Sequence, residues 1–294
     1  MAARIETVAN VRIPRRSPWL RMWFRLRHNR TAVVGGTMVA VVVLVALCAG
    51  WLAPYDYQQS DFMATYQGPS WRHWLGTDGL GRDMLSRIIW ALRSACIVGF
   101  GAEVVELTVG VLIGAWAGYK GGWIDNLLMR FVDSVYALPS LLFSIILVVI
   151  LGHGLWVILI AVSATSWVGM ARIVRSQALT IRQMGYIDAA RSMGASTFTI
   201  IRRYILPNAM GPVVVAITFG IPGNMMTEAG LSLIGLGIEP PTPDLGTLIS
   251  EGQQAMFSYP YLLLGPAVVF ALTLLGFTFL GDGIRDAFDT KARS

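Results

Sequence analysis

Six apolar stretches of about membrane-crossing length divide this sequence. About 20 consecutive apolar residues are enough for a helix to cross a bilayer. Runs of roughly that length cover residues 31–53, 95–118, 131–152, 155–173, 209–236 and 261–281. Polar segments separate these runs. The pattern predicts an all-α fold, a polytopic membrane protein with six transmembrane helices.

The composition agrees with a membrane location. The mean hydropathy is +0.60 and 14% of the residues are charged, whereas about a quarter of the residues are charged in a typical soluble domain. We find no repeat or low-complexity linker, so we expect a single membrane domain. The first apolar stretch is too long for a signal peptide and lacks a cleavage site, and it is expected to remain as an anchor.

The distribution of arginine and lysine predicts the orientation. Basic residues are frequent before residue 31, between residues 172 and 203 and after residue 284, whereas the polar segments 54–94 and 237–260 carry at least as many acidic as basic residues. Short basic segments stay in the cytoplasm, so both termini are predicted to be cytoplasmic. The same bias explains the net charge of +6 without a nucleic-acid partner.

The spans and their orientation predict the domain organisation. The first 30 residues include the stretch WLRMWFRLRHNR, which alternates aromatic residues with arginines as a helix at the lipid interface does. The expected units are a cytoplasmic tail with this interfacial helix at 1–30, a first transmembrane helix at 31–53, an outer segment at 54–94, a transmembrane domain at 95–281 with a cytoplasmic loop at 174–208, and a cytoplasmic tail at 282–294.

Signatures of enzyme chemistry are missing from the sequence. The histidines His28, His73 and His153 lie in three different segments, and we find no zinc-protease, paired-cysteine, nucleophile-elbow or phosphate-loop motif. We therefore expect no catalytic residues, no metal site and no nucleotide site on this chain.

Two acidic residues interrupt the second apolar stretch. A charge in lipid is costly, so intramembrane acids are candidates for function. Glu103 and Glu106 fall three or four residues apart from Gly99 and Gly110, which predicts that both acids share a helix face with a small-residue packing stripe. One interpretation is a polar patch in a transport path or at a subunit contact. The other, which the sequence favours, is a pair that only holds helices together.

The fifth apolar stretch carries helix-breaking residues beside polar ones. Gly220, Pro222 and Gly223 are expected to break or kink the helix. Broken helices at membrane depth tend to line a cavity, because the freed backbone groups need polar partners. Asn224 and Glu228 are therefore candidates for lining a translocation path, with a kink that serves only packing as an equal alternative.

The loop at 174–208 is more than a connection between two spans. Residues 178–191 contain no proline and predict a helix, and Gly194 is placed to end it with a left-handed cap. A second helical run, 196–206, is expected to stop at Pro207. This helix, turn and helix would place Ala189 and Ala190 on a small-residue face that permits close approach of another surface.

The stretch DAARSMGASTFTIIRRYILPNA in this loop resembles the cytoplasmic loop of permeases of ATP-binding-cassette (ABC) importers. Their pattern is E-A-A, three residues, Gly, nine residues, and I-x-L-P. The spacing is kept throughout, and two letters depart: Asp188 stands for Glu and Tyr204 stands for Ile. The matching positions are Asp188-Ala189-Ala190, Gly194 and Tyr204-Ile205-Leu206-Pro207.

Three further stretches resemble one branch of that family, the C-type permease subunit of peptide and nickel importers. They are HWLGTDGLGRDMLSRIIWALR, GGWIDNLLMRFVDSVYALPSLL and EAGLSLIGLGIEPPTPDLGTLISEG. Together with the loop, the resemblance covers nearly all of residues 51–289. A single E-A-A would be weak, whereas four motifs in order are specific.

The resemblance implies a type I ABC importer permease in the bacterial cytoplasmic membrane, with peptides as the expected substrate. It implies that the chain, embedded in membrane lipid, forms a heterodimer with a second permease subunit. It also implies two ATPase subunits that bind ATP and Mg²⁺, and an extracytoplasmic substrate-binding protein. The coupling residues that it implies, seated in a groove of one ATPase, are Tyr186, Asp188, Ala189, Ala190, Gly194, Leu206 and Pro207.

Two questions stay open at this point. A secondary transporter that works without ATPase partners is the alternative function, and it would usually show paired repeats or an acid relay, neither of which we find.

On the outside, Asp78, Arg82 and Asp83 are candidates for contact with the binding protein, although the start of a solvated helix explains Asp83 as well.

Overall fold

The computed structural model describes Phe24 and residues 26–288, and its regular structure there is helical. Within these residues the extended pairing is limited to one isolated β-bridge between Thr77 and Asp83. The all-α prediction is confirmed. Most of the predicted interfacial helix and the end of the cytoplasmic tail lie outside the described residues.

The helical elements follow one another in a simple order. Two short π-helical segments, π1 (Glu106–Gly110) and π2 (Ile201–Ile205), and one 3-10 turn (Phe62–Ala64) occur among the α-helices. The α-helices are α1 (Arg30–Leu47), α2 (Ala49–Leu52), α3 (Met84–Val105), α4 (Val111–Lys120), α5 (Gly122–Tyr136), α6 (Ser140–Leu151), α7 (Leu155–Ile181), α8 (Gly185–Ser192), α9 (Thr197–Ile200), α10 (Leu206–Leu233), α11 (Leu245–Ala255) and α12 (Tyr261–Phe288).

Five continuous segments are long and apolar enough to cross a membrane, and a bent pair brings the number to six. The pair is α5 and α6, which meet at an angle of 78°. The span predicted at 131–152 therefore corresponds to this bent pair, which begins earlier, at Gly122. Pro139 explains the bend, because proline has no N–H to donate and disfavours a helical conformation at the preceding Leu138. The five continuous segments are Arg30–Leu47, Met84–Lys120, Leu155–Ile181, Thr197–Leu233 and Tyr261–Phe288.

The second span begins earlier than the apolar pattern predicts. It starts at Met84, because the Asp83 carboxylate caps the helix by accepting a hydrogen bond from the Ser86 backbone N–H at 2.8 Å. Polar residues in the first three turns hide this start from hydropathy. Residues 84–94 thus continue the same helix as the second span, which at 37 residues is longer than the roughly 20 that cross a bilayer. Their place in the outer segment stays a prediction.

The fifth span also departs from the prediction, since its helix neither stops at Pro207 nor breaks at Pro222. It runs from Thr197 to Leu233 through π2 and α10. Pro207 lies in the first turn of α10, directly after π2, where the change of hydrogen-bond register reduces the need for its missing N–H. The predicted stop at Pro207 is wrong, and the loop continues directly into the span. No break interrupts the helix at Pro222, and the alternative of a kink there stays a prediction.

Three glycines of the second span pack against α7 and form what we call the glycine seam: Gly110, Gly114 and Gly118. A Cβ at Gly110 would lie 2.7 Å from the Met170 Cβ, and one at Gly118 would lie 2.6 Å from the Arg175 carbonyl oxygen. Real Cβ atoms do not approach so closely, so only glycine permits this spacing. The predicted small-residue stripe is therefore the contact between α4 and α7.

The outer segment is held by a buried ion-pair network that its sequence did not reveal. The Asp78 carboxylate accepts from the Arg82 Nε at 2.7 Å and from the Arg87 Nη1 at 2.6 Å, and Arg87 also donates to Glu251 of α11 at 2.9 Å. Buried charges of this kind need partners.

The outer residues expected to contact a binding protein form ion pairs and hydrogen bonds within the subunit. Asp78, Arg82 and Asp83 are all buried, and the Asp83 carboxylate also lies 2.9 Å from the His73 Nδ1. Burial and ion pairing use these side chains within the chain, while Asp78 and Arg82 also line a cavity of about 600 Å³. Their contact with a binding protein stays a prediction.

The glycine seam predicts a matched pair of stability effects. At Gly114 a Cβ would lie 2.9 Å from the Val174 Cβ, whereas at Gly36 the nearest neighbour would be the Leu280 Cδ1 at an ordinary 3.7 Å. We expect Gly114→Val to cost about 1–3 kcal/mol by overpacking and to lower the melting midpoint of the purified protein in detergent. Gly36→Val serves as the control, and an equal drop in both variants would contradict the seam.

Candidate functional site

The short helix α8 projects from the bundle between α7 and α9. The predicted helix at 178–191 is wrong as one element, because α7 ends at Ile181 and α8 begins only at Gly185. Residues 182–184 form a turn in which the Met184 N–H donates to the Ile181 carbonyl at 3.0 Å. Glycine is a weak helix former, which agrees with a new helix direction at this point.

The predicted left-handed cap at Gly194 is confirmed. Gly194 has a φ of +82°. The Ala195 N–H donates to the Ala190 carbonyl at 3.0 Å and the Gly194 N–H donates to the Arg191 carbonyl at 2.9 Å. These bonds satisfy the last carbonyls of α8, as expected for a glycine that ends a helix.

The two faces of α8 have different environments. Ile187 and Ala190 are buried, and Ile187 joins an apolar cluster with Ile200 and Ile205. Asp188 and Ala189 are exposed. The predicted Ala189 and Ala190 surface is thus divided, because adjacent residues on a helix point about 100° apart.

Apolar residues on the outward side of α8 and at its flanks are exposed to solvent. Tyr186 is 45% exposed and Met193 is 79% exposed. At the start of α10, Leu206 is half-buried and Pro207 is exposed. We call Tyr186, Asp188, Ala189, Ser192 and Met193 the outward face of α8.

Two arginines tie α8 to the end of the second span. Arg191 donates from its Nε to the Tyr119 hydroxyl at 3.3 Å, and its guanidinium lies 5.2 Å from the centre of the Tyr119 ring. Arg182 donates to the Gly118 carbonyl at 3.3 Å. The first contact holds α8 and the second holds the end of α7, while Arg191 also pairs with Asp188 of the outward face at 3.2 Å.

A polar cavity of about 510 Å³ lies between the spans. It is bounded by π1, the bend between α5 and α6, the middle of α7 and the middle of α10. Its walls combine polar and apolar groups in about equal measure, whereas a typical small-molecule site is mostly apolar with a few convergent polar groups. The polar side chains that line it are Glu106, Tyr136, Ser140, Thr165, Ser166, Asn224 and Thr227.

The structure separates the two acids of the second span. Glu106 lines the cavity, whereas Glu103 faces α10, where a Cβ at Gly220 would lie 3.1 Å from the Glu103 Cδ. Neither Glu103 oxygen has a hydrogen-bond partner. Both acids nevertheless point towards α10, since Glu103 lies against Gly220 and Glu106 interacts with the Asn224 side chain one turn further along. This agrees with the shared helix face that the sequence predicts, although only Glu106 also lines the cavity.

The two candidate path residues of the fifth span, Asn224 and Glu228, lie in different environments. Asn224 lines the cavity, and its side chain interacts with Glu106 of π1. Glu228 is fully buried away from the cavity. It lies near Asp244 and Ser232, and burial raises the pKa of Asp244. The structure thus places Glu228 in the outer packing of α10.

Sequence reasoning missed the cavity residues of α7 and of the bend. Thr165 and Ser166 line the cavity from α7, and Tyr136 lines it from the end of α5. The cluster of small polar residues in the run SATSW was the available signal. It was overlooked because the hydroxyls do not lower the hydropathy of a span as a charge does.

A bundle of spans with a polar cavity and a projecting helical loop is the architecture of a membrane permease. Residues 110–294 match the family described as binding-protein-dependent transport system inner membrane component, and residues 17–69 match the N-terminal transmembrane domain of oligopeptide transport permease C. The chain belongs to this family and is a permease subunit of an ABC importer.

Relatives and a solved structure agree with this assignment. The oligopeptide transport system permease protein OppC of Bacillus subtilis is 40% identical over 277 residues, covering 94% of this chain and 91% of that protein. The glutathione transport system permease protein GsiD of Pectobacterium atrosepticum is 39% identical over 280 residues, covering 95% and 93%.

The fold is also similar to a solved chain of the inward-facing methionine ABC transporter MetNI. The TM-score is 0.54 at 18% identity, with 70% of this chain and 98% of that chain covered. The fold is that of a type I importer permease. The alternative of a secondary transporter finds no support in these comparisons.

The contact between Arg191 and Tyr119 predicts a graded effect on α8. Tyr119→Phe removes one hydrogen bond and keeps the ring, whereas Tyr119→Ala removes both. We expect backbone amides of 185–192 to exchange with deuterium about fivefold faster in Tyr119→Ala, for a loss of about 1 kcal/mol, with a smaller change in Tyr119→Phe. Amides of α1 are the internal control, and unchanged exchange in α8 would contradict the anchoring role.

Proposed function

We propose that this chain is one of two permease subunits of an ATP-driven peptide importer in the bacterial inner membrane, with both termini in the cytoplasm. Its partners are a second permease subunit, two ATPase subunits and an extracytoplasmic binding protein. ATP and Mg²⁺ are bound by the ATPase subunits, so this chain is not itself an enzyme. Family membership supports this set of partners in general.

The observation that carries the proposal is the two-sided environment of α8. Its inner side is fixed by Ile187, Ala190 and Arg191, whereas Asp188 and Ala189 point outward. Exposed apolar groups such as Met193 mark surfaces for another protein. We assign the outward face of α8 to a groove of an ATPase subunit.

The remaining coupling residues act from within the loop. Ala190 lets α8 lie close to its own subunit, and Gly194 sets the direction of the chain after it. Leu206 and Pro207 start the span that lines the cavity with Asn224. Movement of α8 is therefore transmitted to α10 through a continuous helix from Thr197 to Leu233.

The substrate class follows from the relatives. Their names refer to oligopeptide, dipeptide and glutathione transport, all of which are peptides or a peptide derivative. A cavity of about 510 Å³ lies in the usual size range of small-molecule sites. We propose that this cavity, with Asn224 and Glu106 in its wall, is this subunit's part of the translocation path.

Cross-linking tests the docking proposal and the orientation together. Single cysteines at Ser192, Ala190 and Thr65 are introduced after replacement of Cys48 and Cys96, and the assembled transporter is treated with a short thiol-to-amine cross-linker. We expect exposed Ser192→Cys to join the ATPase. Buried Ala190→Cys and outer Thr65→Cys are the controls and should not. Cross-linking of the ATPase from Thr65, or none from Ser192, would refute the docking site.

The left-handed cap at Gly194 predicts a coupling defect without a folding defect. No atom lies within 4 Å of a Cβ at Gly194, so Gly194→Val acts only through the positive φ, at a cost of about 1 kcal/mol or more. We expect normal membrane insertion, weaker co-purification of the ATPase and less uptake per ATP hydrolysed. Wild-type values for both measurements would contradict the role of this loop.

A further inference from the structure

A stripe of exposed apolar side chains runs along the first span. Val41, Leu44, Leu47 and Trp51 recur every three or four residues, which places them on one face of the helix. Their exposed fraction rises from 53% at Val41 to 90% at Trp51. The helix α1 is also the least buried of the five continuous spans. In a chain that crosses a membrane, such a stripe on a peripheral helix is a surface for lipid.

The length of the first span places the end of the stripe at a membrane surface. A helical rise of about 1.5 Å per residue gives residues 30–52, which include α1 and α2, a length of up to about 34 Å. The hydrocarbon core of a bilayer is about 30 Å thick. With Arg30 at one surface, Trp51 therefore lies at the other. Tryptophan is enriched at such surfaces because its ring is apolar and its indole N–H is polar.

Two further tryptophans of the outer segment lie close to this end of the span. Trp71 is 97% exposed and Trp74 is 66% exposed. The two residues between them contact Tyr55, which follows the end of α2 by three residues. The Tyr55 hydroxyl donates to the Arg72 carbonyl at 3.0 Å, and the Tyr55 ring centre lies 4.9 Å from that of His73. These contacts fix both tryptophans beside the point where the first span leaves the bilayer.

From this placement we infer that Trp51, Trp71 and Trp74 insert into the lipid headgroup region and anchor the outer segment to the membrane surface. We call these three residues the tryptophan anchor. Lipid is the partner that fits, because the anchor continues the lipid-facing stripe and lies at the depth where tryptophan is favoured. The exposed Arg72 between two of its members agrees with a place beside lipid phosphates.

The anchor complements the ion pairs of the outer segment. Asp78 and Arg87 connect residues near the start of α3 to Glu251 of α11, whereas residues 71–74 are connected to the chain through Tyr55. Lipid contact gives this second part of the segment a support that the chain itself does not supply. The inference depends on the membrane location of the chain and not on its substrate or its ATPase partners.

Depth-dependent quenching tests the lipid contact. A single cysteine replaces Trp71 or Trp74 in a chain without Cys48 and Cys96, and is labelled with a nitrobenzoxadiazole fluorophore. The full transporter is reconstituted in phosphatidylcholine nanodiscs in which some of the lipid carries a nitroxide, either near the headgroup or near the end of an acyl chain. Interfacial side chains lie about 5–10 Å deep, so we expect about twofold or stronger quenching by the shallow nitroxide than by the deep one.

Two control positions calibrate the measurement. Val41 is 53% exposed near the middle of the first span, and a probe at Val41→Cys should be quenched more by the deep nitroxide. Gln254 is exposed and lines the cavity of about 600 Å³ beside the outer segment, so a probe at Gln254→Cys should be quenched by neither. Equal quenching at Trp71 and Gln254 would overturn the inference. A Trp71 probe that responds to added binding protein and to neither lipid would overturn it as well.

Matched substitutions test whether the tryptophans hold the segment in place. With the probe at Trp71→Cys, the change Trp74→Ala is expected to lower the shallow quenching by about twofold, because a large interfacial ring is lost. Trp74→Phe keeps an apolar ring and should retain most of the quenching. If Trp74→Ala leaves the quenching unchanged, the ring touches lipid without anchoring the segment, and the anchor is refuted.

Discussion

The close contact between the second span and α7 is the constraint on which both candidate sites depend. The glycine seam, from Gly110 at the end of π1 to Gly118 in α4, brings the backbones of the second span and α7 together over about two turns. The end of α7 leads within three residues into α8, and the end of α4 carries Tyr119, which holds Arg191. The same two spans form the cavity wall further along, through Glu106 and Thr165. A larger residue in the seam would therefore displace both sites at once.

Ion pairs connect neighbouring helices at both ends of the bundle. Near α5, Arg175 pairs with Asp125 through two bonds of 2.6 and 2.8 Å, which joins the bent pair to α7. On the outer side, Asp78 and Arg87 join the outer segment to α11 through Glu251. Bidentate and networked pairs of this kind define orientation more than they add stability. They leave the middle of the bundle, where the cavity lies, to helix packing alone.

The spans and the loop were predictable to different degrees. Hydropathy located the apolar stretches because burial in lipid demands a minimum length, and Gly194 was predictable because only a residue without a Cβ readily takes a positive φ. The ends of the helices were not, since Asp83 begins a helix among polar residues and Pro207 sits in a first turn. A hydropathy profile does not take account of helix caps or of the change of hydrogen-bond register in a π-helical segment.

The sequence by itself determined the class of the protein, its apolar membrane-spanning stretches and the position of the loop that contains α8. These depend on local length, charge and spacing, which a linear chain displays directly. Only the tertiary structure decided that Glu106 faces a cavity while Glu103 does not, that Ala190 is buried while Ala189 is exposed, and that Asp78 is paired inside the chain. The reason is that the facing of a side chain depends on its neighbours from distant helices, and a shift of one residue in register turns a helical side chain by about 100°.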